Sequence, residues 1–449
     1  MFPALNKPRY LKFAIITFAG ASGGRRRRAT PAPTRPGASP RPDVVSLSNL
    51  CVDVVVPVER LPPASDAAAR RDLLARLVAR PPPQTAWEAG GNANFLIAAS
   101  RLGLAAQAVG HLGDDPFGAF TRDVLNAEGV RPTRGLWRPD DPLASGAHPG
   151  DPDAAPPGTL VCFVLVDPNG AHQFCSAYDF GPWPLLCPDG GNDEAPSTSR
   201  ASADALDDNP PAAALWINGF ALDELPATYL LLTLQKYRAA GGTVYLDPGP
   251  RAASAAAEGG TRWAGLAALL DEADVIVATD DEARAVIAGD AGDAGIEVRA
   301  SGGGGGWQAT VTAAEAEDLG RALLARPTGR ATVAVIKRGA AGATMVRRGQ
   351  GRGEAIAQPG FEVAVADTVG CGDSFGAALV LGAARSLSDA ATLRLANAVG
   401  AATATGRGAG RQVARREDVI RILTEACRAS CRGGEGGDAD LAEALSALM

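Results

Sequence analysis

Asp367-Thr368-Val369-Gly370-Cys371-Gly372-Asp373-Ser374-Phe375-Gly376-Ala377-Ala378-Leu379-Val380 lies late in this 449-residue chain. Ahead of it, the alternating apolar residues 361–366 predict a strand. The small, apolar run 375–384 predicts a buried helix, so the glycines fall at a strand-to-helix turn. Gly370 and Gly372 can take backbone angles closed to other residues and let amides approach a ligand closely. Those amides are unpaired donors of a helix N-terminus, with roughly half a positive charge from the dipole. Phosphate oxygens fit there. Asp373 would repel a merely bound phosphate, so its presence makes sense where a second substrate brings a hydroxyl that needs a base. Taken alone, it could equally be complementing the helix dipole.

Gly370-x-Gly372-x-x-x-Gly376 also admits a dinucleotide reading. Such fingerprints follow the first strand of a βαβ unit, with a ribose-binding acid some 20 residues on. Here the pattern comes late, its acid is inside the loop, and residues 391–397 stand where the ribose acid would be.

The same stretch resembles the C-terminal signature of the PfkB (ribokinase-like) family of carbohydrate kinases. The resemblance implies that Asp373 is the catalytic base, that the amides around Gly370, Cys371 and Gly372 form an anion hole, and that ATP and Mg2+ are required. It also admits a monovalent cation.

Composition sets bounds on this. With 46% hydrophobic residues the chain can bury one large or two ordinary cores, and a net charge of -7 argues against a nucleic-acid partner. Basic charge is concentrated only in residues 1–42, which hold nine Lys and Arg, no acid and many Pro and Ala. They are expected to be a transit peptide, plastid (chloroplast) in preference to mitochondrial, with a cytoplasmic location if they are not. The apolar run 13–19 is too short to cross a bilayer, so no membrane partner is expected. Seven scattered cysteines make no disulfide framework, and no His or Cys spacing marks a metal site. None of the four lysines follows a glycine, which excludes a P-loop.

Along the chain, residues 43–56 predict one buried first strand interrupted by Asn49 and Asp53. Asp53 alone reads as an edge residue facing solvent; the resemblance assigns Asp53 and Asn49 to acceptor hydroxyls. Trp87-Glu88-Ala89-Gly90-Gly91-Asn92-Ala93-Asn94 precedes a helix stopped by Gly103. A glycine pair is often only a turn, but this stretch resembles the family's N-terminal signature, which implies sugar contacts from Gly90, Gly91, Asn92 and Asn94. Residues 159–166 and 171–177 predict a hairpin about Asp167-Pro168-Asn169-Gly170.

From residue 214 strands and helices alternate. One strand ends in Asp247-Pro248-Gly249-Pro250-Arg251, and the resemblance makes Arg251 a clamp on the transferred phosphate. Another leads into Thr279-Asp280-Asp281-Glu282, where the family often shows Asn-x-x-Glu with the Glu acting on magnesium through water. Glu282 matches and Thr279 does not; an acidic helix start is the alternative. A strand over 331–336 delivers Lys337, by itself an ordinary strand-end charge. The resemblance gives nucleotide binding to Lys337, Gly339, Gly342, Gly408, Ala409 and Gly410.

The expected fold is three-layer α/β/α, ribokinase-like, with a mostly parallel central sheet and a small β-rich lid. The kinase domain is expected over 43–430, with the lid from about 54–87 and 159–180. Low-complexity insertions are expected near 139–158, 188–211 and 290–306, and a frayed tail over 431–449. The expected function is ATP-dependent phosphorylation of a sugar-like small molecule by a monomer or homodimer. The alternatives are a nucleoside kinase of the same fold, an NAD(P)-binding oxidoreductase, or a catalytically silent family member.

Overall fold

The computed structural model describes residues 41–63, 66–135, 158–168, 172–180, 212–292, 311–349, 354–407, 409–432 and 438–449. The expected transit peptide and the insertions near 139–158 and 188–211 lie almost wholly outside the described residues, as does most of that near 290–306.

The strands are β1 (Val44–Leu47), β2 (Leu50–Pro57), β3 (Trp87–Gly91), β4 (Ala106–Gly110), β5 (Arg131–Gly135), β6 (Leu160–Val166) and β7 (His172–Ser176). They continue with β8 (Ala214–Asn218), β9 (Thr243–Asp247), β10 (Val275–Thr279), β11 (Val333–Lys337), β12 (Ala343–Arg347) and β13 (Ala355–Gln358). The helices are α1 (Ala67–Ala79), α2 (Asn92–Arg101), α3 (Pro116–Ala127), α4 (Ala221–Glu224), α5 (Ala227–Ala239), α6 (Arg251–Glu258) and α7 (Gly260–Glu272). After them come α8 (Asp280–Ala291), α9 (Ala313–Leu324), α10 (Cys371–Arg385), α11 (Asp389–Ala404), α12 (Arg416–Arg432) and α13 (Ala439–Ser446).

Nine strands form the central sheet in the order β13-β12-β11-β10-β9-β8-β1-β4-β5. It is parallel from β11 through β5, while β12 pairs antiparallel with both β11 and β13. Parallel strands are buried on both faces, so they read as apolar runs. In β8, Trp216 faces one layer with Phe95 and Phe375, and Leu215 and Ile217 face the other with Leu230 and Leu266. Trp216 stacks on Phe95 at 4.6 Å. A Cβ on Gly376 would lie 2.2 Å from the Trp216 ring, so α10 can pack here only with glycine at that position. Truncating such a buried aromatic typically costs about 3–5 kcal/mol.

A second, four-stranded sheet, β3-β2-β6-β7, is the lid. β2 pairs antiparallel with β3 and parallel with β6, and β6 pairs antiparallel with β7.

Three expectations are corrected. The single first strand is two: β1 belongs to the central sheet and β2 to the lid. Ser48 (φ 66°) and Asn49 (φ 53°) between them are both left-handed, a conformation costing non-glycine residues about 1–2 kcal/mol each. Hydrogen bonds hold it in place. Asn92 Nδ2 donates to Leu47 O (3.1 Å) and Ser48 O (2.8 Å), while buried Glu224 accepts from Ser48 Oγ and from Asn49 N (2.9 Å).

Residues 361–366 form no strand. Their alternation holds only at first, with Phe361 and Val363 packed on the core, and it breaks at Val365, in the same phase but 45% exposed. The neighbour, however, is a helix: Phe361 and Val363 line a groove with Ile422 and Ala426 of α12, and a helix cannot supply a ladder.

Of the tail expected over 431–449, the described residues 438–449 are not frayed. α13 is capped by Asp438, whose carboxylate accepts from the amides of Asp440 and Leu441. It buries Leu441 and Ala444, with Leu448 buried just beyond. No helix among the described residues is long and apolar enough to cross a membrane.

Candidate active site

Gly370 takes φ 80° as the N-cap of α10, the Cys371 amide turns back to Thr368 O (3.1 Å), and the Ser374 amide bonds Gly370 O (2.9 Å). Among the described residues the amides of Gly372 and Asp373 have no acceptor, which leaves two donors at the positive end of the helix. Cys371 supplies the turn. Burial, together with the charges of Asp367 and Asp373, pushes its thiol up to about 12, so it stays protonated.

Asp373 follows in the first turn of α10, half-buried, with Asn94 Nδ2 donating to its Oδ2 at 3.1 Å. Burial and then the Asp247 charge raise its carboxyl to about 6, against the Asn94 bond and the Lys337 charge. Lys337 closes β11 with Nζ 2.7 Å from Asp247 Oδ2 and 3.8 Å from Glu282 Oε2. A Cβ on Gly372 would lie 3.4 Å from that Nζ, which places the ammonium beside the two free amides. Burial alone would lower the Lys337 pKa, but Asp247, Glu282 and Asp373 together raise it above the ordinary value and fix the positive charge.

Glu282 caps its own helix. Its Oε2 accepts from Thr279 N (2.7 Å), while Thr279 Oγ1 accepts from Glu282 N (3.3 Å). This reciprocal box explains Thr at the departure from Asn-x-x-Glu, because the position is an N-cap. Burial raises the Glu282 carboxyl despite the Lys337 charge. Among the described residues no group of three or more His, Cys, Asp or Glu could hold a metal directly.

Asp53, in β2, faces this cluster from the lid and is 5% exposed. Burial lifts its carboxyl to about 7, with the Asp373 and Glu88 charges adding to the effect and a Cys51 Sγ hydrogen bond (3.6 Å) opposing it. The glycine pair is a steric requirement. A Cβ on Gly90 would lie 2.3 Å from Asp53 Cγ, and one on Gly91, at φ 59°, would lie 2.3 Å from Asn49 O.

The other expected residues divide. Asn94 joins Asp373 to the late loop, its Oδ1 accepting from Gly410 N at 2.7 Å. Gly410 also presses on the lid, where its Cβ would lie 2.6 Å from Ala89 O. Asn92 Nδ2 is committed to the β1–β2 crossing, and Asn49 takes part there through its backbone, its N–H donating to Glu224 and its O accepting from Asn92 N at 2.7 Å. The guanidinium of Arg251 is bound to Asp223 (2.6 Å) and Tyr178 O (3.2 Å) and lies over the Phe220 ring, partners outside the Asp373–Lys337–Asp247 group. Gly339 is open and left-handed, and Gly342 is wedged against Gln358 O. Ala409 is buried, and Gly408 lies outside the described residues. Sequence reasoning passed over Asp247 as a site residue. The signal was an acid ending an apolar strand just before Pro-Gly, at the edge where parallel sheets bind ligands.

The profile of the pfkB family carbohydrate kinases matches residues 63–142 and 186–415. The chain belongs to the PfkB carbohydrate kinase family. No curated relative matches it by sequence. Arabidopsis thaliana ribokinase, solved with ribose and ATP, is similar in structure at 18% identity and TM-score 0.55, covering 85% of this chain and 98% of its own. A putative ribokinase II from E. coli, solved with ATP and Mg2+, matches at 18% identity and TM-score 0.55, covering 86% and 99%. A Xylella fastidiosa fructokinase with bound ATP matches at 20% identity and TM-score 0.53, covering 85% and 98%. These likenesses establish the ribokinase-like fold, and family membership removes the dinucleotide reading of the glycine turn.

Proposed function

We propose that this PfkB-family kinase transfers a phosphoryl group from ATP to a hydroxyl of a sugar or sugar-like acceptor, with Asp373 as general base. The observation that carries the reading is the placement of Asp373. One carboxylate stands in the first turn of a glycine-opened helix, beside two free amides and a fixed ammonium, with a second carboxylate facing it from the lid. A carboxyl at about 6 is mostly ionised at neutral pH and still basic enough to take a proton as the hydroxyl attacks. The amides of Gly372 and Asp373 and the Lys337 ammonium are set to hold the phosphoryl charge.

ATP and magnesium come to this chain from the neighbours solved with them and from the residues present. Asp247 and Glu282 bring two carboxylates against the single Lys337 ammonium, a balance that suits a cation held through its waters. Bound magnesium would neutralise charge on the nucleotide phosphates.

The test is ATP-dependent phosphorylation of a panel of pentoses, ketohexoses, polyols and nucleosides, with and without magnesium. Turnover of a sugar that needs magnesium is the expected result. Turnover of nucleosides alone would replace the acceptor class, and no turnover on any member would overturn the reading.

A further inference from the structure

One buried polar atom in the site has no use in the chemistry above. Asn218 is the last residue of β8, 8% exposed. Its Nδ2 donates to Asn92 Oδ1 at 3.0 Å, whereas its Oδ1 has no hydrogen-bond partner among the described residues. A buried carbonyl left in that state costs roughly 1–3 kcal/mol, so such atoms call for a partner.

The orientation of both amides follows from donor and acceptor logic. Asn92 Nδ2 is committed to two carbonyl oxygens, Leu47 O and Ser48 O. Asn92 must therefore present its Oδ1 to Asn218, and Asn218 must answer with its NH2 group. That leaves the Asn218 carbonyl turned away from Asn92.

Strand register places the atom. Asn218 is the direct neighbour of Asp247 in the parallel β8–β9 pair, so the two side chains leave the sheet on the same face. Asp247 reaches Lys337 on that face, and Trp216, two residues before Asn218, faces the layer that contains α2 and α10. Asn92 and Asn94 in the first turn of α2 then make a matched pair: Asn94 holds Asp373, and Asn92 holds Asn218. Asn218 shares the face that carries the catalytic group, and since the neighbouring Asp247 is already engaged by Lys337 Nζ and Gly249 N, the unpaired acceptor of this pair among the described residues is Asn218 Oδ1.

We infer that Asn218 Oδ1 is a specificity-determining contact, accepting a hydrogen bond from a second hydroxyl of the acceptor beside the one that Asp373 deprotonates. This rests on the kinase reading and narrows it. The acceptor is a polyhydroxylated molecule with at least two neighbouring hydroxyls, one reacting and one oriented by Asn218. An alcohol with a single hydroxyl is a poor substrate, because binding it leaves the buried carbonyl unpaired.

The test uses D-ribose, D-fructose and their single-deoxy analogues with ATP and magnesium, on the wild type and on Asn218→Ala. In the wild type, removal of one hydroxyl that is not phosphorylated should lower kcat/KM by about 5- to 150-fold, the range expected for an unmade buried hydrogen bond. In Asn218→Ala that same removal should cost less than about threefold, because the two losses share one bond. ATP protection in thermal melting should stay as in the wild type. Should Asn218→Ala fold poorly because Asn92 loses its donor, Asn218→Ser, which keeps a short donor and withdraws the carbonyl, serves instead. A deoxy penalty that persists in full in the variant at every position would overturn the assignment while leaving the kinase standing. Absence of turnover on every sugar would overturn the kinase reading, and the assignment with it.

Discussion

Two carboxylates face each other across this site, and their surroundings differ. Asp373 belongs to the core, at the end of α10, with an amide donor on its Oδ2 and the Lys337 ammonium nearby. Asp53 belongs to the lid, on the middle of β2, with a thiol for its hydrogen bond and the negative charges of Asp373 and Glu88 as neighbours. Both are raised by burial, but the core acid only to about 6 and the lid acid to about 7. The Lys337 charge and the Asn94 amide hold the core acid down against burial, whereas at the lid acid burial and two like charges are opposed only by the Cys51 thiol. In the proposed reaction the same residue type serves as a base on one side and as a hydroxyl acceptor on the other, as its neighbours dictate.

The largest test of that division is Asp373→Asn, which keeps shape and hydrogen bonding but removes basicity. Turnover should fall about 10²–10⁴-fold with ATP affinity little changed, measured by steady-state kinetics and nucleotide binding. A loss within about threefold would end the division, since the core acid would then be no base.

Next in size is Gly90→Ala. The added methyl must displace the Asp53 carboxyl, from which an ideal Cβ would be 2.3 Å distant. Misplacement on the ångström scale costs up to about 10²-fold, so kcat/KM for the acceptor should drop by roughly that factor while ATP binding is unchanged. An equal loss of ATP binding would show that the lid acid does not act on the acceptor alone.

The smallest effect is on stability. An acid whose folded pKa, about 7, lies above its unfolded value of 3.8 holds its proton more tightly when folded. Its contribution is fully present at low pH and is lost as pH rises from about 4 through about 7. Asp53→Asn should therefore raise the melting temperature of the free protein at pH 8 by a few degrees, about 1–3 kcal/mol, and change it little at pH 4. A pH-independent shift would mean that Asp53 is not held at the raised value.

Much of this arrangement was legible in the sequence. Gly370, Gly372 and Asp373 announced a helix-end site because glycine, small residues and an acid in that order have few other uses, and the 90–94 stretch did the same for the lid. What could not be read was partnership. Asn92 looks like a ligand contact, and only the fold shows its side-chain amide bonded to Leu47 O, Ser48 O and Asn218. Arg251 looks like a free clamp until Asp223, 28 residues earlier, is found bonded to it. The break at Ser48 and Asn49 is hidden because apolar residues flank it on both sides, and the strand expected at 361–366 fails because periodicity reports a buried face without saying what lies on it. Gly376 and Gly90 are steric necessities whose reasons, Trp216 and Asp53, are remote in sequence.

Asn94 meets Asp373 across 279 residues. Closing a flexible chain over that distance costs about 5 kcal/mol of entropy, more than the roughly 1.5–3 kcal/mol that one charged hydrogen bond returns. The contact must be assembled by everything between them. During synthesis the ribosome releases Asn94 early and Asp373 only near the end, so neither has its counterpart until most of the chain is made. Fragments that stop short of α10 hold Asn94 without Asp373, so in the proposed reaction they lack the general base.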